Sequence, residues 1–551
     1  MTAPLDLEPP TGRFDDDDLV EPEPSMSTGA RMRIAATDGL PVIRICPRLH
    51  ENVDASVVAL RDDEHLYQRD GSLVHVTQTI DDGEGARIQR GTPIVRALAT
   101  STLRERLTRV AAYEKYDARA KRWVATLPSG PIVEAVHARG EWRGIRPIVG
   151  VIETPSMRPD GSLIVDPGYD AATAYLYAPS CSFPRVPEHP TQAEAARALA
   201  DLCEVFCDFQ FASEAARYVP VAATMTIIVR PAVRGAVPAF VCDAPTPGTG
   251  KSLCSDAICT IATGRAAPRG AFPSNPEELE KVLGAYALAS ASIIGFDDVP
   301  GAFGGASLDR CLTASDTVDL RVLGRSEIRS MVWRATVLAS ANNIQIVGAT
   351  QRRALVARIE SAMERPEDRT GFRHGEGAEL LEWIASERPR LVVAALTVVR
   401  AFVVAGRPST CKVLGSFEAW ARLIPAAIVF AGGANVLDAR VSEDAGDDGE
   451  RAAVSSLLRG WARLDAQGAG LTAREAVHLL YPGERDAGPP DGHDDLRDAI
   501  ETLARGATGR TPDANRLGHV LRRYRARIVG GHRLVSAPDR KGAQRWKVEA
   551  T

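Results

Sequence analysis

Lysine is scarce in this 551-residue chain, where seven lysines stand among 66 basic residues and arginine supplies the rest. The formal net charge of -5 excludes a protein that is basic overall, so any surface for nucleic acid must be a local patch. The nine cysteines lack the C-x-x-C spacing of a zinc site or redox pair, and their odd number argues against a disulfide framework. We therefore expect free, buried thiols in a reducing compartment.

Long hydrophobic runs are also missing. The most apolar stretch, "LVVAALTVVRAFVVAG", is interrupted by Arg400 and is short for a membrane span. The first residues are acidic and proline-rich, without a basic region followed by an apolar run, so we expect no signal peptide. These patterns favour a cytoplasmic protein with no membrane partner.

The chain is too long for one hydrophobic core, so we expect several domains. Shifts in composition predict an acidic disordered tail (1–38), a mixed α/β domain (39–190), a helical lead-in (191–236), an α/β core (237–375), a helical subdomain (376–440), a linker with the first helix of the C-terminal region (441–470) and a winged-helix domain (471–551). Pro167-Gly168 lies between Asp166 and Asp170, which favours a turn over a polymerase-like metal site. The role of the domain at 39–190 stays open, including whether it binds a replication protein.

The stretch "FVCDAPTPGTGKSLCSDAI" has the order strand, loop, helix that a phosphate-binding loop requires. Pro245 occupies the position where the usual pattern G-x-x-x-x-G-K-[ST] begins with glycine. The backbone N–H donors needed to bind an anion, however, are those of Gly248, Thr249, Gly250, Lys251 and Ser252, none of which is proline. We therefore predict a working nucleotide site in which Lys251 contacts the terminal phosphates of ATP and Ser252 binds Mg²⁺.

Polar residues end two further predicted strands of the same core. "SIIGFDD" ends in Asp297, a predicted Mg²⁺ contact, and Asp298, a candidate to orient or deprotonate the attacking water. "VLASANN" ends in Asn342, which we take as the residue that holds the water, with Asn343 as the alternative. Strands that alternate with helices predict a largely parallel sheet, whose carboxyl edge would collect these groups.

An arginine soon after this strand would stabilise charge on the transferring phosphoryl group from across a subunit boundary. Arg358 in "TQRRALVARIE" is our first choice, and Arg352 and Arg353 are the alternatives.

In their order along the chain, "DAPTPGTGKS", "FDDV", "ASANN" and "LVARIE" resemble superfamily 3 helicases and related AAA+ ATPases. The closer resemblance is to the ATPase half of phage, plasmid and integrative-element primase-helicases, which are distantly similar to the poxvirus primase-helicase. It implies a multidomain α/β fold with an AAA+ P-loop NTPase core, a helical lid, an N-terminal mixed α/β domain and a C-terminal winged helix. It also implies a homo-oligomeric ring, usually a hexamer, with ATP and Mg²⁺ at subunit interfaces and single-stranded DNA in the pore.

Two groups of arginines are the DNA-binding candidates. The resemblance places pore contacts on a hairpin between the acidic strand and the Asn strand, where this chain offers arginines and no lysine: Arg321, Arg325 and Arg329. The C-terminal region has its own cluster of positive charge, a plausible footprint for duplex DNA, which includes Arg522, Arg523, Arg525 and Arg527.

Taken together, the sequence predicts an ATP hydrolase that acts as a DNA helicase or translocase in the replication of a mobile genetic element. One alternative is an ATP-switched DNA-binding initiator or loader that does not unwind DNA. A second is a regulatory or antiviral ATPase. No convincing primase site is visible in the N-terminal domain.

Overall fold

The computed structural model describes residues 39–79, 90–321, 328–361, 363, 365–411, 415–440, 448–482, 492–504, 513–525, 528–529, 531–538 and 543–550. The predicted disordered tail at 1–38 lies outside the described residues. By its contacts the chain forms two units, one up to His75 with Arg96–Pro147 and the other Val76–Val95 with Ile148–Thr551. All nine cysteines are free thiols, as predicted, but only five are buried, and Cys181 and Cys207 are exposed.

The chain up to residue 147 mixes helices and short strands, as the sequence predicts. Its elements are α1 (Leu49–Ala59), α2 (Thr100–Val110), α3 (Gly130–His137), β1 (Val42–Arg44), β2 (Tyr67–Arg69), β3 (Ser72–Gln78), β4 (Pro93–Ala97), β5 (Ala112–Asp117), β6 (Arg122–Thr126) and β7 (Arg146–Pro147). Strand β5 pairs in parallel with β1 and antiparallel with β6. Leu103, Leu107 and Val133 are fully buried in the core of this unit, which includes Tyr113 of β5.

Residues 148–190 belong by their contacts to the second unit, although the sequence assigns them to the N-terminal domain. They form β8 (Gly150–Ile152), β9 (Ser156–Met157), β10 (Leu163–Ile164), β11 (Gly168–Asp170) and β12 (Tyr175–Tyr177). The Ser156 hydroxyl donates to the Ile228 carbonyl at 2.7 Å, which ties these strands to the following helices. Asp170 pairs with Arg158 at 2.6 Å and accepts from Thr173, so this carboxylate is engaged in holding the fold.

Helices predicted on both sides of the α/β core are present. They are α4 (Gln192–Val205) and α5 (Glu214–Ile228) before it and, after it, α9 (Ala378–Val404), α10 (Glu418–Ala421) and α11 (Ile424–Phe430). Thr191 caps α4, because its side chain accepts from the Glu194 backbone while Glu194 bonds back to Thr191. Among the described residues, no helix has both the length and the apolar character needed to cross a membrane.

The α/β core contains a four-stranded parallel sheet, as predicted. Its elements are β13 (Ala239–Ala244), α6 (Lys251–Thr263), α7 (Pro276–Leu288), β14 (Ile293–Phe296), β15 (Ala302–Phe303), α8 (Ala306–Thr313), β16 (Thr317–Arg321), β17 (Ile328–Val332), β18 (Thr336–Asn342), β19 (Gln345–Ile346) and β20 (Ala354–Arg358). The strand order is β14-β18-β13-β20, and every pairing is parallel. Central strand β13 is buried along its whole length, because helices cover both faces of the sheet.

The C-terminal region has four helices followed by a small sheet. Its elements are α12 (Asp448–Leu464), α13 (Ala473–Leu480), α14 (Asp494–Leu503), α15 (Ala514–Arg523), β21 (Ile528–Val529), β22 (His532–Pro538) and β23 (Gln544–Ala550). The sequence predicts a two-stranded wing, whereas the sheet has three antiparallel strands. Tyr524 and Trp546 are each 2% exposed, so both pack in the core of this region and neither is open to stack on a base.

Candidate functional site

The loop between β13 and α6 has the shape of an anion cradle. Gly248 and Gly250 have positive φ angles of 76° and 88°, which L-residues with a side chain adopt with strain. A Cβ atom on Gly250 would also lie 3.1 Å from the Phe209 ring. Helix α6 begins at Lys251, so its first backbone N–H groups face the loop and supply the positive end of the helix dipole.

Lys251 lies inside this loop and is 8% exposed. Its ammonium donates to the Thr246 carbonyl at 3.2 Å, which holds the side chain along the cradle. Burial lowers the pKa of Lys251, and the carboxylates of Asp298, Asp243 and Asp297 oppose that shift. A lysine held in this position by the loop itself is ready to contact an anion.

Asp297, just after β14, lies next to the start of α6. Its Oδ1 accepts from the Ser252 hydroxyl at 3.0 Å and from the hydroxyl of Ser340 on β18. Its Oδ2 pairs with Arg269, which also pairs with Asp256 at 2.6 Å. Burial raises the pKa of Asp297, but these hydrogen bonds outweigh it and the pKa is lowered, so the carboxylate form is favoured.

Two residues in this cluster, Ser340 and Arg269, were not singled out from the sequence. Ser340 is 2% exposed near the end of a buried strand, and a buried hydroxyl needs a partner. That signal was available in "VLASANN". Arg269 carried no comparable signal, because it lies in a loop 28 residues before Asp297.

Asp298 and Asn342 meet beside Asp297. The Asn342 side-chain amide donates to Asp298 Oδ1 at 3.1 Å, and the Asp298 backbone N–H donates to Ser340 Oγ at 3.0 Å. Asp298 and Asn343 have φ angles of 47° and 52°, in the left-handed region that few non-glycine residues adopt. Such conformations concentrate at functional sites, where surrounding contacts hold them.

Arg358, at the end of β20, is held within its own chain. Its guanidinium pairs with Asp243 and donates to Asn343 Oδ1 at 2.9 Å. Asn343 in turn donates to the Pro245 carbonyl at 3.3 Å, which links Arg358 to the loop. No sequence pattern assigned Asp243 a role, although a carboxylate inside a buried strand requires a cation or hydrogen-bond donors.

The two alternative arginines differ from each other. Arg353 pairs with Asp309 at 3.0 Å and is partly buried. Arg352 is exposed and forms no ion pair with a described residue. Of the three candidates, Arg352 is therefore the one whose guanidinium is open to solvent and to another molecule.

A cavity of about 650 Å³, part of it open to solvent, adjoins the loop. Its walls are mostly apolar and include Phe209, Leu253, Ile359, Phe372 and Leu380, with Gly248 to Gly250 forming one side. The Arg369 guanidinium lies 4.9 Å from the centre of the Phe372 ring and reaches the Asp208 carbonyl. An apolar cavity beside an anion cradle suits a flat aromatic base joined to phosphates.

Glu367 places a negative charge against the same loop. A Cβ on Gly248 would lie 2.8 Å from the Glu367 carboxylate and 3.2 Å from its backbone nitrogen. No sequence pattern identified Glu367, because Gly248, which it lies against, is 119 positions away in the chain. A carboxylate here would repel a phosphate bound in the cradle.

The predicted DNA contacts are spread over two elements. Strands β16 and β17 form an antiparallel hairpin in which Arg321 pairs with Ile328, itself 67% exposed, and Arg329 pairs with buried Leu320. Side chains opposite each other share a face, so Arg321 lies on the open face and Arg329 on the packed one. Arg325 lies outside the described residues.

At the C-terminus, Arg522 and Arg523 end α15, and both are exposed, as is Arg525. Arg523 lies with its guanidinium 5.3 Å from the centre of the Tyr524 ring. Arg527 lies outside the described residues.

The residues present fit Mg²⁺ bound together with a nucleotide. Among the described residues there is no cluster of three or more His, Cys, Asp or Glu that could bind a metal alone. Mg²⁺ at phosphate sites instead takes one or two protein ligands, with phosphate oxygens and water completing the octahedron. Ser252 and Asp297, 3.0 Å apart at the end of the cradle, supply that pair.

Comparisons with known proteins give limited information. No family model matches the chain, and no curated protein matches it. Two apo structures of the NrS-1 C-terminal region are similar to this chain at 11% identity. The first has a TM-score of 0.30, and the match covers 67% of this chain and 79% of that one. The second has a TM-score of 0.33, and the match covers 86% of this chain and 96% of that one. A JCV helicase structure with a bound small molecule is similar at 14% identity and a TM-score of 0.18, covering 46% of this chain and 70% of that one. At these TM-scores the likenesses decide neither fold nor function.

Proposed function

We propose that this chain is an ATP hydrolase with a P-loop NTPase core of the AAA+ type. The observation that carries the proposal is the convergence of three predicted elements at one sheet edge. Ser252 lies 3.0 Å from Asp297, and Asn342 lies 3.1 Å from Asp298, beside a lysine held within a glycine loop. These groups come from three strands that are far apart in sequence, and their assembly matches the parts that phosphoryl transfer needs.

Each residue has a distinct task in this proposal. Backbone N–H groups from Gly248 to Ser252 bind the phosphates, and Lys251 neutralises the terminal one. Mg²⁺, held by Ser252 and Asp297, would neutralise charge on the transferring phosphoryl group. Asp298 orients the attacking water and accepts its proton, while the amide of Asn342 holds Asp298 in place. The apolar cavity beside Phe209 receives the base.

The arginine that completes the site comes, in this proposal, from a second copy of the chain. Arg358 pairs with Asp243 of its own chain. It also bonds to Asn343, which bonds to the loop, so Arg358 acts on the ATP site of its own subunit. Arg352 is exposed and is the side chain free to reach a neighbour's ATP. A homo-oligomer, on the pattern of the hexameric rings that the sequence resembles, is therefore part of the proposal.

We propose that ATP hydrolysis drives movement of the protein along DNA, in replication of a mobile genetic element. Its support is the position of positive charge on projecting elements: Arg321 on the open face of the β16–β17 hairpin, and Arg522, Arg523 and Arg525 at the end of α15. The hairpin would contact single-stranded DNA, and α15, in a winged-helix arrangement with the C-terminal sheet, would contact duplex phosphates.

The test is strand displacement from a forked DNA substrate with one labelled strand, measured together with ATP turnover. Wild type should hydrolyse ATP and release the strand. Asp298→Asn should still bind ATP but lose both activities, because the water is no longer activated. The matched control, Asp498→Asn, makes the same change at an exposed residue of α14 and should behave as wild type.

Two results would change the conclusion in different ways. ATP hydrolysis without strand displacement would contradict the helicase and leave an ATP-switched initiator or loader. Hydrolysis that Asp298→Asn does not affect would contradict the site itself.

A further inference from the structure

The N-terminal unit carries an exposed aromatic pair that the proposed ATP site does not use. Tyr116 on β5 and Trp123 on β6 face each other across the antiparallel pair, with ring centres 5.6 Å apart and ring planes at 68°. Tyr116 is 49% exposed and Trp123 is 37% exposed. Large rings left open together mark an interaction surface, because an aromatic pair with no partner leaves apolar area in water.

The rings lie on the outer face of the three-stranded sheet β1-β5-β6. Alternation along the strands puts buried Tyr113 on the inner face, against the helices, and Tyr116 on the outer one. Arg44 of β1 lies on the outer face too, with its guanidinium 5.1 Å from the centre of the Trp123 ring. We call this face, with the hairpin that joins β5 and β6, the aromatic sheet face.

Positive charge lies beside the rings. The strands and hairpin that build the aromatic sheet face carry five cations and two carboxylates, within a chain whose net charge is -5. Arg44 lies on the outer face and Arg119 and Lys121 lie in the hairpin, whereas alternation puts Lys115 and Arg122 on the side of Tyr113.

Both carboxylates of this face are already engaged. Glu114 pairs with Arg44 at 3.2 Å, and Asp117 accepts from the backbone N–H groups of Arg119 and Ala120 in the turn. In the hairpin of this face, Lys121 and Arg119 are exposed and form no ion pair with a described residue. The positive charge is therefore available to a polyanion.

We propose that the aromatic sheet face binds single-stranded DNA. Exposed rings on a sheet stack on unpaired bases, and flanking cations bind the phosphates between them. A duplex hides its bases, so it could use the cations but not the rings. Of the outward positions beside the rings, Val42, Ala112 and Ala125 offer no side-chain hydrogen bond, and Arg44 and Glu114 are paired with each other, so little is available to a ribose 2′-hydroxyl, and this favours DNA over RNA.

The experiment locates the contact directly, using the full chain without nucleotide. An oligothymidylate carrying 5-iododeoxyuridine is irradiated with the protein, and the modified peptides are identified by mass spectrometry. Adducts are expected on Tyr116 or Trp123. The double variant Tyr116→Ala/Trp123→Ala should lose at least about fivefold of the adduct yield in residues 112–126, because stacking on each ring is lost.

Two further variants separate stacking from loss of structure. Trp123→Phe keeps a ring and should retain the adducts on Tyr116. Val58→Ala removes an equally exposed apolar side chain, 52% exposed on α1 of the same unit, and should leave the yield unchanged. Lys121→Gln should weaken the salt dependence of oligonucleotide binding, since one phosphate contact is lost.

Adducts confined to other parts of the chain, with equal yield in the double variant, would overturn the proposal and leave the face for a protein partner. Tighter binding of the matching RNA would overturn the choice of DNA. Because no ATP is present, either failure leaves the proposed ATPase unaffected.

Discussion

Two regions of this chain concentrate charged side chains. In one the charges are paired within the chain, and in the other they are exposed to solvent. At the carboxyl edge of the parallel sheet, Asp297, Asp243 and Lys251 are all bound to neighbours within the chain. On the aromatic sheet face, Lys121 and Arg119 extend into solvent without an ion pair to a described residue. A site for one small anion needs fixed donors, since a misplaced group loses catalysis. A surface for a polymer needs only density of charge and exposed rings.

The difference predicts how the two regions respond to substitution. In a network of buried polar groups, removing one member destabilises the others, because each partner left behind is buried without its hydrogen bond or ion pair. An open surface loses one contact at a time, because its residues hold nothing else in place. The predictions below test that contrast from the largest effect to the smallest.

Lys251→Ala should produce the largest change, a loss of about 10²- to 10³-fold in ATP turnover, because a buried, positioned cation is removed from the phosphate cradle. Lys281→Ala is the matched control. Lys281 is a residue of α7 whose side chain is 43% exposed and pairs with Glu278 at 3.3 Å, and its replacement should leave turnover unchanged. Steady-state ATPase assays of both variants decide the matter, and normal turnover in Lys251→Ala would show that the site is assigned to the wrong loop.

Arg358→Ala should lower the free energy of unfolding by about 1–3 kcal/mol, because it leaves the carboxylate of Asp243, 4% exposed, without its cation. The double variant Asp243→Asn/Arg358→Gln should recover most of that loss, since no buried charge remains. Arg352→Ala should leave stability unchanged within about 0.5 kcal/mol, while lowering ATP turnover in the oligomer.

Urea unfolding measures the stability of these three variants. Wild-type stability in Arg358→Ala would mean that the pair with Asp243 does not hold the loop, and the contrast between a fixed site and an open surface would weaken.

Glu367→Gln should tighten ATP binding by roughly two- to tenfold, because it removes a negative charge from beside the phosphate cradle. The gain should shrink at high salt, since Glu367 is exposed to solvent. Titration with a fluorescent ATP analogue measures it, with Glu382→Gln, an exposed residue of α9, as the control for charge. Weaker ATP binding by Glu367→Gln would instead mean that the Glu367 carboxylate contributes to ATP binding.

Arg119→Ala and Lys121→Ala should give the smallest change, within about 0.5 kcal/mol of the wild-type free energy of unfolding. Neither side chain forms an ion pair with a described residue, so its removal leaves no partner unsatisfied. Leu103→Ala, at a fully buried position of the same unit, should cost about 2–5 kcal/mol and shows that the measurement reports on this unit. A loss near that size in either hairpin variant would mean that the aromatic sheet face is part of the structure and not an open surface.

Much of the α/β core was predictable because its signals are local. The buried strand "AFVCDA", the glycines at 248 and 250 and the helix after them occupy one continuous stretch, and each acts through its own backbone. The meeting of Ser252 with Asp297 also followed, because the carboxyl ends of parallel strands share one edge.

Other features depended on contacts between distant parts of the chain. Arg269 reaches Asp297 from another loop, and Glu367 reaches Gly248 across more than a hundred positions. Residues 148–190 read as a continuation of the N-terminal domain, yet Ser156 bonds to Ile228 and their contacts fall in the second unit. Patterns of propensity and periodicity contain no information about such pairings.

The sequence by itself determined the glycine loop between β13 and α6, the order of the polar residues that meet beside it and the scarcity of lysine that makes Lys251 stand out. These follow from backbone geometry and side-chain chemistry over a few residues. Only the tertiary structure decided that Arg358 is bound within its own chain, that Arg352 is open, and that Tyr116 and Trp123 lie exposed on one face. The reason is physical: whether a charge or a ring is free depends on what the rest of the fold places against it, and that is fixed only when distant segments pack together.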